Sequence, residues 1–333
     1  MNQTGFERST ASSAATSPAA IWAGLLAVYV VWGSTYLAIR FAVETMPPFL
    51  MAGVRFTLAG AVLYAWRRLS GDPRPTRVEW RSAAIVGGLL LLGGNGSVVW
   101  AEQRVASGIA ALLVGSAPLW MVLMDALRPN GRRPSGWTLL GVLVGFLGIV
   151  LLVGPAQITG LAGEVDSLGG AVLTLAAVLW AAGSLYNRGA QLPNSPLLGT
   201  GMEMLAGGIG LMLLGTLTGE WTRLDLGGIA PRSLLGMGYL IVFGSWVGFA
   251  AYTWLLRVAP TMLVSTYAYV NPLVAIFIGN WLAQETLTPR VLLATAIIVS
   301  SVALITLTQP AGKKRSIPES EREAVPLISS GDD

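Results

Sequence analysis

Apolar residues along the chain cluster into ten long runs that are separated by short polar or turn-forming stretches. Each run holds about 20 mostly apolar residues, the length that an α-helix needs to cross about 30 Å of hydrocarbon. The stretches between them contain helix breakers such as Pro47-Pro48 and Asp72-Pro73. The pattern therefore predicts an all-α integral membrane protein whose spans lie at residues 20–40, 47–66, 81–101, 106–126, 135–153, 168–187, 198–217, 233–256, 261–282 and 289–307.

The composition supports a membrane protein and removes several kinds of chemistry. Of the 333 residues, 53% are hydrophobic and 11% are charged, against roughly 25% charged residues in a soluble domain. The chain has no cysteine and no histidine, which excludes disulfides, Cys or His metal sites and imidazole acid–base chemistry. It also lacks a G-x-x-x-x-G-K-[ST] phosphate loop. We therefore expect no metal, no cofactor, no nucleic-acid partner and no enzymatic activity.

The distribution of basic residues predicts the orientation in the membrane, because Lys and Arg are retained on the cytoplasmic side. If the amino terminus is cytoplasmic, fifteen of the 21 Lys and Arg residues fall in cytoplasmic segments. We therefore expect a multi-pass protein of the plasma (inner) membrane with both termini in the cytoplasm.

The two halves of the chain resemble each other. At an offset of 148 residues, Trp32 aligns with Trp180 and Arg55 aligns with Glu203. Because each repeat has five spans, the second repeat enters the membrane from the opposite side, an arrangement typical of secondary transporters. The predicted organisation is a tail at 1–19, a first repeat at 20–153, a periplasmic loop at 154–167, a second repeat at 168–307 and a tail at 308–333.

Several motifs occur together in an order that resembles the EamA family of the drug/metabolite transporter superfamily. They lie at residues 32–36 (WGSTY), 47–56, 94–96 with 101–102, 107–111 and 267–272. The resemblance covers residues 20–307, and it is strongest to a group of inner-membrane exporters. It implies ten helices in two inverted EamA repeats around a central cavity, and the export of small metabolites, amino acids or drugs.

Polar and aromatic residues inside the spans are candidates for binding such a solute. Aromatic rings and amides suit an amphipathic organic molecule, which they hold by stacking and a few hydrogen bonds. For some aromatic residues, anchoring at the membrane interface is an equal alternative. A proline inside a helix frees a carbonyl that a solute can use, although it can also merely shape helix packing. The candidate substrate-binding residues are Trp32, Ser34, Thr35, Tyr36, Asn95, Pro118, Trp246, Tyr252, Tyr267, Tyr269, Asn271 and Pro272.

Three ionisable residues near or within the spans are candidates for coupling, because a charge in the bilayer is costly unless it is paired or solvated. Arg55 and Glu203 occupy equivalent repeat positions, so we expect them either to meet across the pseudo-two-fold axis or to leave Glu203 as a protonatable group facing the cavity. A purely structural ion pair is the alternative. Glu102 ends the third span and is a candidate residue of the outer mouth. Small multidrug-resistance relatives couple protons through a glutamate in the first helix, which this sequence lacks.

The function predicted from the sequence is a secondary transporter that exports small organic metabolites, such as amino acids or amphipathic drugs, by alternating access. Two alternatives stay open: a lipid-linked or nucleotide-sugar transporter of the same superfamily, and a passive channel. An intramembrane enzyme is disfavoured because the spans supply no pair of catalytic carboxylates. The expected partners are a small organic solute and the lipid bilayer, and the chain is expected to be a monomer or a homodimer.

Overall fold

The computed structural model describes residues 17–128, 133–153, 166–259, 261–264 and 266–308. The described part of the chain forms ten principal helices, and the spans predicted from the sequence coincide with them. They are α1 (Pro18–Val43), α2 (Pro48–Leu69), α3 (Arg77–Ala101), α4 (Ser107–Leu127), α5 (Gly136–Val153), α6 (Ser167–Asn187), α7 (Pro196–Leu217), α8 (Pro231–Tyr239, Leu240–Val247 and Gly248–Val258), α9 (Tyr267–Ala283) and α10 (Pro289–Thr308).

Eight of these helices are long and apolar enough to cross a membrane, and the shorter α5 and α9 are also apolar. A four-residue helix, Thr261–Val264, precedes α9. Large apolar side chains such as Leu147 and Phe277 are about two-thirds exposed on the surface of the bundle, as a lipid-facing surface requires. The all-α membrane fold predicted from the sequence is therefore confirmed. Most of the predicted tails and of the loop at 154–167 lies outside the described residues.

The helices begin where the sequence supplies suitable first turns. Proline occupies the first helical position of α1, α2, α7 and α8, where its missing N–H breaks no helical hydrogen bond. Before α3, Thr76 and Glu79 form a capping box in which each side chain accepts a hydrogen bond from the other residue's main-chain N–H.

The fourth helix is broken rather than kinked, which corrects the expectation for Pro118. The α-helix ends at Val114 and resumes at Ala117, so that Pro118 lies in the first turn of the second part instead of inside a continuous helix. The break follows Gly115, which packs directly on Pro272 of α9: a Cβ atom on Gly115 would lie 2.8 Å from Pro272 Cγ. At a helix start the missing N–H of Pro118 breaks no helical hydrogen bond.

The helix contacts obey the symmetry of an inverted repeat. The principal contacts join α1 to α8 and α9, α6 to α3 and α4, α2 to α8, and α7 to α3. Exchanging α1–α5 with α6–α10 converts each of these contacts into another of the set. The pairs α2–α7, α5–α10 and α4–α9 are converted into themselves. The pseudo-two-fold axis of the molecule therefore passes between the two copies of the same helix.

The crossing of α2 and α7 is the most extensive helix contact, and small residues make it close. A Cβ atom on Gly208 would lie 2.6 Å from the main-chain N of Thr57, and one on Gly60 would lie 2.8 Å from the carbonyl O of Gly201. Close approach of backbones at small residues is the usual way in which membrane helices gain packing energy.

Two carboxylates at equivalent repeat positions hold the ends of these same helices. Glu220 accepts hydrogen bonds from the main-chain N–H groups of Phe49 (3.2 Å) and Leu50 (2.8 Å) in the first turn of α2. Asp72 lies 148 residues earlier and shares a side-chain hydrogen bond with Ser195, which precedes α7. Each repeat thus fixes the start of the other repeat's second helix. We name the two ends of the bundle after residues that lie there. The Asp72 end contains the α2–α3 connection, and the Glu285 end contains the α9–α10 connection.

Candidate functional site

An aromatic cluster lies between the two repeats, where α1 meets α8 and α9. The ring of Trp32 lies 5.3 Å from Phe249, 5.1 Å from Tyr252 and 5.3 Å from Tyr267, measured between centroids. Tyr252 and Tyr267 are 5.7 Å apart and nearly perpendicular. These separations are those of favourable edge and tilted ring contacts. Three of the four residues, Trp32, Tyr252 and Tyr267, were predicted from the sequence to line the site.

A π-helical segment of α8, Leu240–Val247, joins this cluster to the polar part of the site. The indole N–H of Trp32 donates to the carbonyl O of Gly244 at 3.3 Å. Ser245 follows Gly244 in the chain. Its hydroxyl donates a hydrogen bond to the carbonyl O of Leu240 (3.1 Å) and accepts one from Arg55 Nε (3.3 Å). The wider π turn shifts the register by one residue, so consecutive residues reach Trp32 and Arg55.

Two side chains pack closely over Gly244. A Cβ atom there would lie 3.1 Å from both Arg55 Nη2 and Thr35 Cγ2. The Arg55 head group therefore lies beside Gly244, next to the polar run of α1 and close to Trp32.

Four charged residues cluster on the side of Gly244 that faces the Glu285 end. Arg40 Nη1 forms an ion pair with Glu285 Oε1 at 3.0 Å. Glu102 is 3% exposed and interacts electrostatically with Glu285, Arg40 and Arg55. Tyr36 interacts electrostatically with Glu102, which places a further predicted site residue beside the cluster. The site is therefore aromatic towards the Asp72 end and charged towards the Glu285 end.

Glu285 ties three elements together at one end of the bundle. Besides its ion pair with Arg40 of α1, its carboxylate accepts hydrogen bonds from Ser107 N (2.8 Å), Ser107 Oγ (2.7 Å) and Gly108 N (3.1 Å) at the start of α4. A carboxylate at a helix N-terminus is favourable because it satisfies free N–H groups and the helix dipole. Gln284 has a left-handed backbone (φ 53°) at the end of α9 and turns the chain towards this contact.

Several buried polar atoms of the described residues have no hydrogen-bond partner. They are Arg55 Nη1, Asn95 Oδ1, both carboxylate oxygens of Glu102, Trp120 Nε1 and Asn271 Oδ1. Four of these five residues were predicted from the sequence, and Trp120 was not. Buried polar atoms without partners are costly, so each of them marks a position where water or a solute can complete the hydrogen bonding.

Other predicted residues have their polar atoms engaged within the protein. Ser34 Oγ donates to Val31 O and lies 2.6 Å from the hydroxyl of Tyr239, and Thr35 Oγ1 donates to the carbonyl O of Trp32 at 2.6 Å. The Ser34 hydroxyl joins α1 to α8, whereas the Thr35 hydroxyl bonds within α1, so hydrogen bonds within the protein account for both.

Three more predicted residues contribute to helix packing. Trp246 Nε1 donates to the carbonyl O of Ala59 (3.2 Å), which joins α8 to α2. Pro272 packs on Gly115, as described above. Tyr269 is two residues from Tyr267 but packs against the main hydrophobic core and not in the aromatic cluster.

Arg55 and Glu203 do not form an ion pair, which was one of the two arrangements expected from the repeat. The polar contact of Arg55 is with Ser245, and no side-chain hydrogen bond or ion pair involves Glu203 among the described residues. Glu203 lies where α7 packs on α3, and its main-chain carbonyl faces Gly87. Equivalent repeat positions are symmetric about the axis, but they touch only when they lie on it.

The described part of the chain contains no group of three or more carboxylates placed to hold a metal ion. A groove of about 760 Å³ lies between α3, α6 and α7, and its lining is apolar, including Leu92, Val172 and Leu213. Leu213 is 60% exposed, so the groove faces the lipid.

Comparison with known proteins identifies the family. The EamA-like transporter family matches residues 18–154 and again residues 167–307. The "Uncharacterized inner membrane transporter YedA" of Escherichia coli (strain K12) is 39% identical over 289 residues, which are 86% of this chain and 90% of that protein. A chloroplastic WAT1-related protein of Arabidopsis thaliana is 23% identical over 85% of this chain and 69% of its own length.

A solved crystal structure has the same fold, with a TM-score of 0.58 and 23% sequence identity. The similarity covers 87% of this chain and 98% of that one. Together with the double family match and the ten apolar helices, these comparisons show that the chain is a multi-pass membrane protein that belongs to the EamA-like transporter family.

Proposed function

We propose that this chain is a secondary transporter that exports small organic solutes by alternating access, with both termini in the cytoplasm. The observation that carries the proposal is the site between the repeats, where the aromatic cluster around Trp32 adjoins buried charges with unpartnered atoms. A solute with an apolar body and polar ends, such as an amino acid or an amphipathic drug, suits these surroundings.

The contacts of the two repeats are related by inverted symmetry, which supports alternating access. If each repeat adopts the packing of the other, the open end of the bundle closes and the closed end opens. At the Glu285 end, Glu285 ties α1 to α4 and to the α9–α10 connection, while Thr45 Oγ1 donates to Ser233 Oγ (2.9 Å) and so joins α1 to α8. These contacts support a state that is closed at the Glu285 end. In the proposed orientation this is the external end.

Orientation is tested with single cysteines, since the chain has none. Arg74 and Thr222 are exposed and lie in connections at opposite ends of the bundle. In intact cells, a membrane-impermeant maleimide should modify Thr222→Cys and spare Arg74→Cys until the cells are permeabilised. The reverse pattern overturns the orientation.

Export is tested by comparing the external metabolites of cells that express the wild-type chain, no chain, Trp32→Leu or Trp22→Leu. Trp22 is the matched control, because it is 54% exposed on α1 and lies outside the site. Solutes that accumulate outside with the wild type should do so with Trp22→Leu and should fall to background with Trp32→Leu. No difference between expressing and non-expressing cells would refute export.

A lipid-linked substrate is the second candidate, and the groove between α3, α6 and α7 favours it because an acyl chain fits there. The groove offers mainly apolar contacts, whereas the unpartnered charges lie between α2, α3 and α8. Purified protein in vesicles separates the candidates: the main proposal expects saturable exchange of a water-soluble solute, and the second expects transbilayer movement of labelled lipid. Non-saturable flux would instead indicate a channel.

A further inference from the structure

The groove between α3, α6 and α7 reaches the Glu285 end of the bundle. Its lining includes Trp100 near the end of α3, Leu168 near the start of α6 and Leu217 at the end of α7. Its volume of about 760 Å³ is within the range of about 300–1,000 Å³ that is typical of ligand sites. Apart from Ser97 and the indole of Trp100, the lining residues are apolar. The occupant of the groove itself is therefore apolar.

A cationic side chain lies at the mouth of this groove. Arg104 follows Trp100 by four residues and belongs to the α3–α4 connection. Its guanidinium carbon lies 4.9 Å from the ring centroid of Trp100. A Cβ atom on Gly169 would lie 3.7 Å from Arg104 Cβ, so Arg104 also adjoins α6 beside Leu168. Arg104 therefore lies where two of the three helices around the groove reach the surface of the membrane.

No carboxylate of the described residues pairs with this cation. Arg104 is exposed, and none of the ion pairs among the described side chains involves it. Asp166 precedes α6, but its carboxylate accepts a hydrogen bond from Gly169 N at 2.6 Å and so caps that helix. An arginine on a tryptophan at the end of a membrane helix lies at the level of the lipid head groups. The mouth of the groove thus offers a positive charge to a head group.

We propose that the groove holds one acyl chain of a resident phospholipid of the leaflet at the Glu285 end, with the phosphate of that lipid on Arg104. A phospholipid carries both an apolar chain and a phosphate, and guanidinium groups bind phosphate through charge-assisted hydrogen bonds. The inference goes beyond the proposed solute transport and does not depend on it. The lipid stays bound and is not the cargo.

The corresponding position in the other repeat is covered by protein. Val172 of α6 lines the groove, and Gly24 of α1 is its equivalent at the offset of 148 residues. A Cβ atom on Gly24 would lie 2.8 Å from the ring of Trp254 on α8. The open space beside Val172 is therefore not simply repeated by the inverted symmetry, and it needs an occupant of its own.

A lipid in the groove contacts both repeats, because α3 belongs to the first repeat and α6 and α7 belong to the second. It packs on Leu92 and Gly93 in the π-helical part of α3 and on Leu213 of α7. A ligand that binds only the folded protein stabilises it. The bound phospholipid should therefore raise the unfolding temperature of the delipidated chain.

The experiment measures lipid binding to the purified, delipidated full chain in detergent by native mass spectrometry. The two probes are palmitoyl-oleoyl phosphatidylglycerol and the diacylglycerol with the same two chains, which lacks the phosphate. We expect one saturable site at which the phospholipid binds about tenfold or more tightly than the diacylglycerol, because the diacylglycerol loses the charge-assisted contact with Arg104.

Two variants assign the two parts of the lipid, and each has a matched control. Arg104→Gln should remove the preference for the phospholipid over the diacylglycerol. Its control is Arg232→Gln, since Arg232 also lies over an aromatic ring, that of Phe41, but away from the groove. Leu213→Trp places an indole in the groove and should weaken the binding of both probes about tenfold or more. Its control is Leu147→Trp, at a position of α5 that is likewise exposed to lipid.

Three results would overturn the proposal. The first is lipid binding that does not saturate or that is the same in Arg104→Gln and Leu213→Trp as in their controls. The second is unchanged lipid affinity of Leu213→Trp with an altered oligomeric state in gel filtration, which would make the groove an interface between copies of the chain. The third is rapid transbilayer movement of labelled phosphatidylglycerol in vesicles that contain the wild type, since a resident lipid does not cross the membrane.

Discussion

Replacing Glu285 with glutamine is expected to destabilise the protein although the two side chains have almost the same size. The Glu285 side chain is 7% exposed and forms an ion pair with Arg40 and three hydrogen bonds with Ser107 and Gly108. Glutamine keeps one acceptor oxygen, loses the ion pair and directs an NH₂ group towards N–H donors. The change therefore removes attraction at several bonds together.

The size of the effect follows from the burial of each partner. Breaking a fully buried ion pair costs about 3–5 kcal/mol, but the Arg40 side chain is 37% exposed and can be rehydrated, which lowers the cost. Hydrogen bonds to a charged group contribute about 1.5–3 kcal/mol, against about 1 kcal/mol for neutral ones. We expect Glu285→Gln to lower the free energy of unfolding by about 2 kcal/mol.

The assay is equilibrium unfolding in mixed SDS micelles, with Glu44→Gln as the matched control. Glu44 lies at the same end and pairs with Arg232 at 3.8 Å, but the two side chains are 41% and 51% exposed. Exposed pairs contribute about 0–1 kcal/mol, so this control should remain close to the wild type. If Glu285→Gln is as stable as Glu44→Gln, the reasoning that Glu285 ties three elements together is wrong.

Two further perturbations test the packing of the repeats and the role of Asp72. Gly208→Ala inserts a methyl group against the backbone of α2 and should lower the free energy of unfolding by about 1–3 kcal/mol. The control Gly238→Ala places its methyl group where nothing lies within 4 Å, so it should not destabilise the protein. Equal unfolding curves for the two variants would refute the close α2–α7 crossing. Hydrogen bonds from Arg67 and Ser195 lower the pKa of Asp72 in the folded protein. The ionised carboxylate therefore stabilises the fold fully at pH values above the pKa of Asp72 in the unfolded chain, which is about 3.9. This stabilisation is lost as the pH falls through the lower pKa of the folded protein. Asp72→Asn should therefore be less stable than the wild type at pH 7 and approach it in acid; a stability difference independent of pH contradicts the assignment.

The spans and much of the aromatic cluster could be predicted because they depend on local sequence. An apolar run of about 20 residues has few alternatives to a membrane helix, and Trp32, Tyr252 and Tyr267 stand out because each interrupts such a run. Their meeting between α1, α8 and α9 depends on tertiary packing, which the inverted repeat indicates only in outline.

The polar part of the site was harder to predict, because its contacts join distant positions. Arg40 and Glu285 are 245 residues apart, and neither lies in a motif that indicates the other. Ser245 reaches Arg55 because of a π-helical register shift that periodicity does not reveal. The repeat suggested a pairing of Arg55 with Glu203, but symmetry relates positions without bringing them into contact.

In the proposed transport cycle, the site between the repeats is reached alternately from the two sides of the membrane. A single cysteine at Thr35, whose side chain borders Gly244, tests it by the rate of modification with an impermeant maleimide in right-side-out and inverted vesicles. With the Glu285 contacts intact, modification should be fast from the Asp72 end and slow from the Glu285 end, and Glu285→Gln should raise the slow rate and lower the fast one. Modification from neither side, or rates that Glu285→Gln leaves unchanged, would contradict alternating access to this site.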